Sequence, residues 1–282
     1  MHNTIDCAKR LRFRNPAATT DNWNRNSRHQ FAAFFAQEIY ASGSIYSHIP
    51  KNASSTMRYS VALANRLITH NTDISWVYAN NMTFVPSLRF QALADYTFVI
   101  LRCPFSRLAS AFLDQIVRRP HMYFMRQRKT GLTRHIVDKI VARHITFERF
   151  VHKLHHNPAF LRLNAHWRPQ VDFLLYEQYD DYFCVEDMAC ATKTLKEKID
   201  LDVMDTRPLA KHGIDAYKKI TVENAFRLTA PQIQEMKREN IIVHPRCLYS
   251  AELVKIVADL YVQDIKLYRD KFGAENFMFK GL

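Results

Sequence analysis

A lysine followed closely by three hydroxyl side chains can hold an anion, and this combination stands at Lys51, Ser54, Ser55 and Thr56 in SHIPKNASST, residues 47–56. A second set, Arg102, Ser106, Arg107 and Ser110, follows the apolar run TFVIL in RCPFSRLASAF. A guanidinium there can grip a phosphate through two charge-assisted hydrogen bonds, and Ser110 can add a hydroxyl from the helix that follows. A phosphate at the start of the helix after Lys51 would meet free backbone N–H groups, the positive end of the helix dipole and the three hydroxyls. Residue types alone leave plainer readings open. The serines can cap a helix, Arg102 can pair with a carboxylate at a sheet edge, and Ser110 can be a small packing residue.

Both sets need a strand to deliver them and a helix to receive them. SIYSHI (44–49) reads as a short strand and SSTMRYSVALANRLI (54–68) as a helix. In DYTFVILRCPFSRLASAFLDQIV (95–117), TFVIL is a continuous β-favouring run of the kind buried on both faces of a parallel sheet. Pro104 suits a first helical turn, and Leu108, Ala111 and Phe112 recur on one face of the helix after it. YFCVE (182–186) followed by MACATKTLKEKI gives a third strand and helix. Strands separated by helices predict an α/β fold whose central, mainly parallel sheet is flanked by helices. Ligands of such sheets collect outside the carboxyl ends of the strands, where Lys51 and Arg102 stand. Upstream, Phe31, Phe34, Phe35 and Ile39 in WNRNSRHQFAAFFAQEIY predict an amphipathic helix up to Gly43. Downstream come a basic, mostly helical region (118–168) and two further helices, APQIQEMKREN and AELVKIVADLYVQDIKLYRDKFG.

An ATPase loop of the form GxxxxGK[ST] does not fit, because residues 44–60 contain no glycine and the lysine lies on the wrong side of the loop. TFVIL also ends in Arg102 where a magnesium-holding strand would end in aspartate.

The 282 residues carry 40 Lys and Arg against 27 Asp and Glu, a net charge of +13 that favours an anionic partner. Residues 1–21 read as a flexible N-terminal arm and 22–282 as one domain. Five cysteines, odd in number and without CxxC spacing, predict neither a disulfide framework nor a metal site, and fit a reducing compartment. No apolar run reaches the length of a signal peptide core or a membrane span, so a soluble, cytoplasmic protein is expected.

IPKNASSTM and RCPFSRLASAF together resemble the phosphosulfate loop and the 3′-phosphate motif of sulfotransferases that use 3′-phosphoadenosine 5′-phosphosulfate (PAPS). FERFV (147–151), HWRPQ (166–170), VEDM (185–188) and LYVQDIKLY (260–268) follow in the order of the carbohydrate branch, sulfotransferase family 2, with its chondroitin, dermatan and HNK-1-type enzymes. The resemblance implies a P-loop-like three-layer fold and transfer of a sulfuryl group from PAPS to an acceptor hydroxyl by in-line displacement. It implies that Lys51 sits at the leaving group, that residues 52–56 (Asn52, Ala53, Ser54, Ser55, Thr56) hold the 5′-phosphate, and that Arg102 and Ser110 hold the 3′-phosphate. His166 is the implied general base. The acceptor is expected on a glycan, glycolipid or small metabolite, no metal is needed, and the product is PAP. Glu186 and Asp187 can orient an acceptor or cap a helix, the basic run from Arg118 to Arg149 can guide an anionic acceptor, and Lys211 and His212 can cover the donor. A nucleotide-dependent kinase and a basic nucleic-acid-binding protein are the alternatives. Against the latter, no RRM, KH or helix-turn-helix signature stands out.

Overall fold

The computed structural model describes residues 12–15, 25–80, 82–119, 144–209 and 217–281. The chain divides into two compact units, Met1–Leu101 with Gln170–Leu209, and Arg102–Pro169 with Ala210–Leu282.

The first unit is built on four strands: β1 (Ala36–Ile39), β2 (Ser44–Ser47), β3 (Tyr96–Leu101) and β4 (Asp181–Cys184), in the order β1-β2-β3-β4. β1 runs antiparallel to β2, whereas β2–β3 and β3–β4 are parallel, so the sheet is mainly parallel as expected. Its helices are α1 (Ser27–Phe34), α2 (Ser54–Ala64), α3 (Ser75–Ala79), α4 (Leu88–Leu93) and, after β4, Met188–Ile199. One sheet face presents Ile39, Tyr46, Phe98, Ile100 and Phe183 to Met57, Val61 and Ala62 of α2, Val77 of α3, and Ala191 and Leu195 of the last helix. Val99 and Ile45, which point to the other face, are fully buried too. Coverage on both faces is what a continuous run such as TFVIL requires.

The helix expected from residue 22 to Gly43 is the main correction. Asn26 caps α1 by accepting from the His29 N–H (3.0 Å), and α1 ends at Phe34. Ala36–Ile39 instead pairs with Ser44–Ser47 through a turn at Tyr40–Ser42. Apolar spacing here suits either state, and the available strand partner decides it. Gly43 closes that turn at φ +60°, and a Cβ there would lie 2.2 Å from Asp95 Oδ2. Of the expected N-terminal arm, residues 12–15 are held in the first unit. Phe13 bridges Tyr176, and the Arg14 N–H donates to the Leu175 carbonyl (3.0 Å). Residues 1–11 and 16–21 of that arm lie outside the described residues.

In the second unit α5 (Pro104–Ala111), with Pro104 in its first turn as predicted, continues into a π-helical turn at Phe112–Ile116. It is followed by α6 (Phe147–His156) and α7 (Pro158–Leu163), and the helix of the first unit at Met188–Ile199 becomes α8 in chain order. α9 (Ala230–Arg238) lies between β5 (Lys218–Ile220) and β6 (Ile241–Val243), a parallel pair. The single helix expected from Ala251 onward is two, α10 (Ala251–Leu260) and α11 (Val262–Phe272), broken at Tyr261. The core is aromatic: Phe112 meets Phe147 edge-on at 5.2 Å, and Phe150 meets Trp167 at 5.3 Å. Among the described residues, no helix is long and apolar enough to cross a membrane.

Candidate active site

The loop from β2 to α2 takes left-handed backbone at two positions without a glycine, Lys51 (φ +73°) and Ala53 (φ +51°). Each such residue stores about 1–3 kcal/mol, and the conformation persists only where its surroundings over-determine it. Asn52, between the two, supplies the restraint. It is fully buried, its Nδ2 donates to the Ile100 carbonyl (2.9 Å) and to Gln170 Oε1 (2.6 Å), and its N–H donates to the Ile49 carbonyl (3.2 Å). The loop is thereby stitched to β3. The Asn52 N–H, expected at the phosphate, is instead spent on Ile49.

The serines do not cap α2. The N-cap is Ala53, which has no side-chain capping bond, and its carbonyl accepts from the Met57 N–H (3.0 Å). The N–H groups of Ser54, Ser55 and Thr56 therefore belong to the first turn, which has no intrahelical acceptor for them. The Ser55 hydroxyl is hydrogen-bonded to that of Tyr78, and the Thr56 hydroxyl to that of Thr206, both at 2.9 Å. Lys51, Ser54, Ser55 and Thr56 are all half-buried, so the loop offers amides, hydroxyls and a cation without being sealed.

In the second unit Arg102 is half-buried, directly before α5, and Ser110 is buried on that helix. Arg107, grouped with them by residue type, has a different task. It is 2% exposed, donating through Nη1 to the Arg168 carbonyl (2.7 Å) and through Nη2 to the Ala165 carbonyl (3.0 Å). Burial lowers its pKa to about 10, Asp264 and Tyr261 oppose that shift, and the nearby positive charge of Arg102 adds to it. Arg107 stays charged at neutral pH and ties α5 to the HWRP turn. Tyr261, at the break between α10 and α11, donates to the Trp167 carbonyl (2.5 Å), and Trp167 Nε1 donates to the Phe160 carbonyl (3.0 Å).

His166 sits on this cross-braced turn, half-buried. Asn164 Oδ1 accepts from the His166 backbone N–H (2.9 Å) and lies 2.8 Å from His166 Nδ1. The backbone donor identifies the Asn164 atom as oxygen, so Nδ1 carries a ring proton, and in the neutral imidazole the lone pair is then on Nε2. That is the tautomer a base needs.

The Sulfotransferase family model matches residues 42–270, most of the chain. The chain belongs to the sulfotransferase family. No curated protein and no solved structure matches it. The family membership and the P-loop-like α/β fold agree with what the two motifs implied.

The structure of this sulfotransferase places Lys51, Ser54, Ser55 and Thr56 at one helix mouth, Arg102 directly before a second helix, α5, and Ser110 near the end of α5. Asp187 caps α8 by accepting from the Cys190 N–H (3.2 Å). Most of the basic run from Arg118, and Lys211 and His212, lie outside the described residues. Four residues near the loop were not anticipated: Gln170, Tyr78, Thr206 and Arg58. Arg58 is 6% exposed with its Cζ 5.6 Å from the Tyr78 ring centre, and burial pushes its pKa down to about 10. Its spacing of three and four from Ser55 and Ser54 was the one available signal.

Proposed function

We propose that this sulfotransferase takes PAPS as donor and passes the sulfuryl group to a sugar hydroxyl. The observation that carries the reading is the loop at Lys51. Two strained non-glycine residues bracket an asparagine clamp and lead into a helix start lined with hydroxyls and lacking a side-chain cap. Strain held this firmly points to function, and an anion at a helix N-terminus is the function the chemistry favours. Ser54, Ser55 and Thr56 hold the 5′-phosphate, and Arg102 with Ser110 holds the 3′-phosphate. Lys51 neutralises charge on the departing phosphate oxygen as its bond to sulfur breaks. His166 Nε2 accepts the proton of the acceptor hydroxyl as that oxygen bonds to sulfur.

The deciding experiment is thermal shift with PAP, ATP and an oligonucleotide, followed by calorimetry. Selective stabilisation by PAP is expected, and Arg102→Ala should weaken PAP binding at least tenfold, since a hydrogen bond to a charged group is worth about 1.5–3 kcal/mol. Stabilisation by ATP alone would indicate a kinase, and by the oligonucleotide alone a nucleic-acid-binding protein. His166→Gln should lower turnover by about 10²-fold or more with PAP affinity unchanged. Full turnover in that variant would move the base elsewhere.

The order of FERFV, HWRPQ and LYVQDIKLY supports the carbohydrate branch within the family, and so a glycan, glycolipid or small sugar metabolite as acceptor. A cytoplasmic enzyme is the location we propose, and a screen of acceptors with labelled PAPS would identify the hydroxyl.

A further inference from the structure

We infer that Arg58 and Ser55 form one subsite for anionic oxygens at the 5′ end of the donor, covered by the side chain of Tyr78. The inference rests on the donor reading above and adds residues to it. Among the described residues, no hydrogen-bond acceptor reaches Arg58 Nε or Nη2, both fully buried. Buried polar atoms in folded proteins are nearly always partnered, and a buried guanidinium without a carboxylate is costly to keep. Among the described residues, Tyr78 and Tyr46 act electrostatically on it, and the Tyr46 hydroxyl is itself buried with no hydrogen-bond partner among them. Among the described residues no carboxylate answers it, and the anion we assign to it is the donor's.

The place of that anion follows from helix geometry. Side chains on a helix lean toward its N-terminus, so Arg58 reaches back over the turn that carries Ser54 and Ser55. Tyr78 reports the same proximity, because its hydroxyl bonds the Ser55 hydroxyl at 2.9 Å while its ring lies against the guanidinium. One side chain thus touches both groups. Tyr78 is 43% exposed near the end of the five-residue helix α3, and an exposed side chain changes rotamer within nanoseconds. When it turns outward it uncovers the guanidinium and the serine hydroxyl together, beside the first-turn amides. The tyrosine hydroxyl thus holds on Ser55 the place that a phosphate or sulfuryl oxygen takes. Arg58 presents its planar fork to the same oxygens.

The test measures the affinity of the full chain for adenosine 3′,5′-bisphosphate and for adenosine 3′-monophosphate, which lacks the 5′ group. Arg58→Met should lower bisphosphate affinity at least tenfold and leave that for the 3′-monophosphate within twofold, while Tyr78→Ala should raise bisphosphate affinity a few-fold. Arg58→Lys keeps the charge without the fork and should show a smaller loss, again confined to the bisphosphate. It serves alone if the methionine variant does not fold. Unchanged bisphosphate affinity in either Arg58 variant would overturn the subsite and leave a buried water as the partner of Nε and Nη2. Equal losses for both ligands would assign Arg58 to the fold, and weaker bisphosphate binding by Tyr78→Ala would remove Tyr78 as a cover. If the unaltered protein binds neither nucleotide, the donor reading itself fails, which is a different result from failure of the subsite.

Discussion

Lys51→Gly should leave the protein at least as stable as it is and remove most of its sulfuryl transfer. The backbone at Lys51 sits at φ +73°, a conformation glycine adopts without strain and lysine does not. The substitution therefore relieves strain while deleting the ammonium group. A charge-stabilising group aimed at a transition state is worth about 10²–10³ in turnover, or about 2.7–4 kcal/mol. We expect a loss of that size with a melting temperature unchanged or slightly raised. Lys51→Ala keeps the strain and should lose the same activity without the gain in stability. Comparison of the two separates the amine from the loop. Turnover near that of the unaltered protein in Lys51→Gly would show that the side chain has no part in the chemistry, and a large drop in melting temperature would show that it supports the loop.

Arg107→Leu should be the most destabilising single substitution considered. It would strand the carbonyls of Ala165 and Arg168 and remove a positive charge that acts on Asp264, 2% exposed. Each buried acceptor left unsatisfied costs about 1–3 kcal/mol, and the buried carboxylate loses a favourable charge besides. Replacing Asp264 as well removes that second buried charge, so Arg107→Leu combined with Asp264→Leu should recover part of the loss. Urea unfolding of the two single variants and the double variant would read this coupling. Strictly additive losses would show that Arg107 acts through its two carbonyls alone. The same argument explains why RCPFSRL, HWRPQ and LYVQDI occur together in one sequence: Arg107, the turn at His166, and Tyr261 with Asp264 brace one another.

The elements legible in advance were those that carry their own signal. TFVIL became β3 because five consecutive β-favouring residues have nowhere to go but a strand covered on both faces, and MACATKTLKEKI became α8 over its full length. Ala36–Ile39 was illegible because its partner, Ser44–Ser47, decides its state. The residues of the site were readable as types, and the arrangement that uses them was not. Nothing in the sequence marks Lys51 and Ala53 as left-handed, since the usual marker is a glycine and there is none. Asn52 was read as part of a phosphate loop, yet its side chain answers to Gln170, 118 residues away. Arg102 and Arg107 have the same residue type within one motif. Burial and two carbonyls alone distinguish the cross-tie from the candidate ligand.

The parallel pairing of β3 with β4 has a consequence for synthesis. Thr97 of β3 receives its side-chain partner, Asp180, from 83 residues further along the chain, and all of the second unit's first segment lies between them. At translation rates of about 5–20 residues per second, the apolar edge of β3 waits about 4–16 s for its neighbour. During that interval it is an open strand edge of the kind that pairs with other chains. The yield of folded protein should therefore depend on how fast the ribosome crosses residues 102–180, and slow codons placed there would favour aggregates over product.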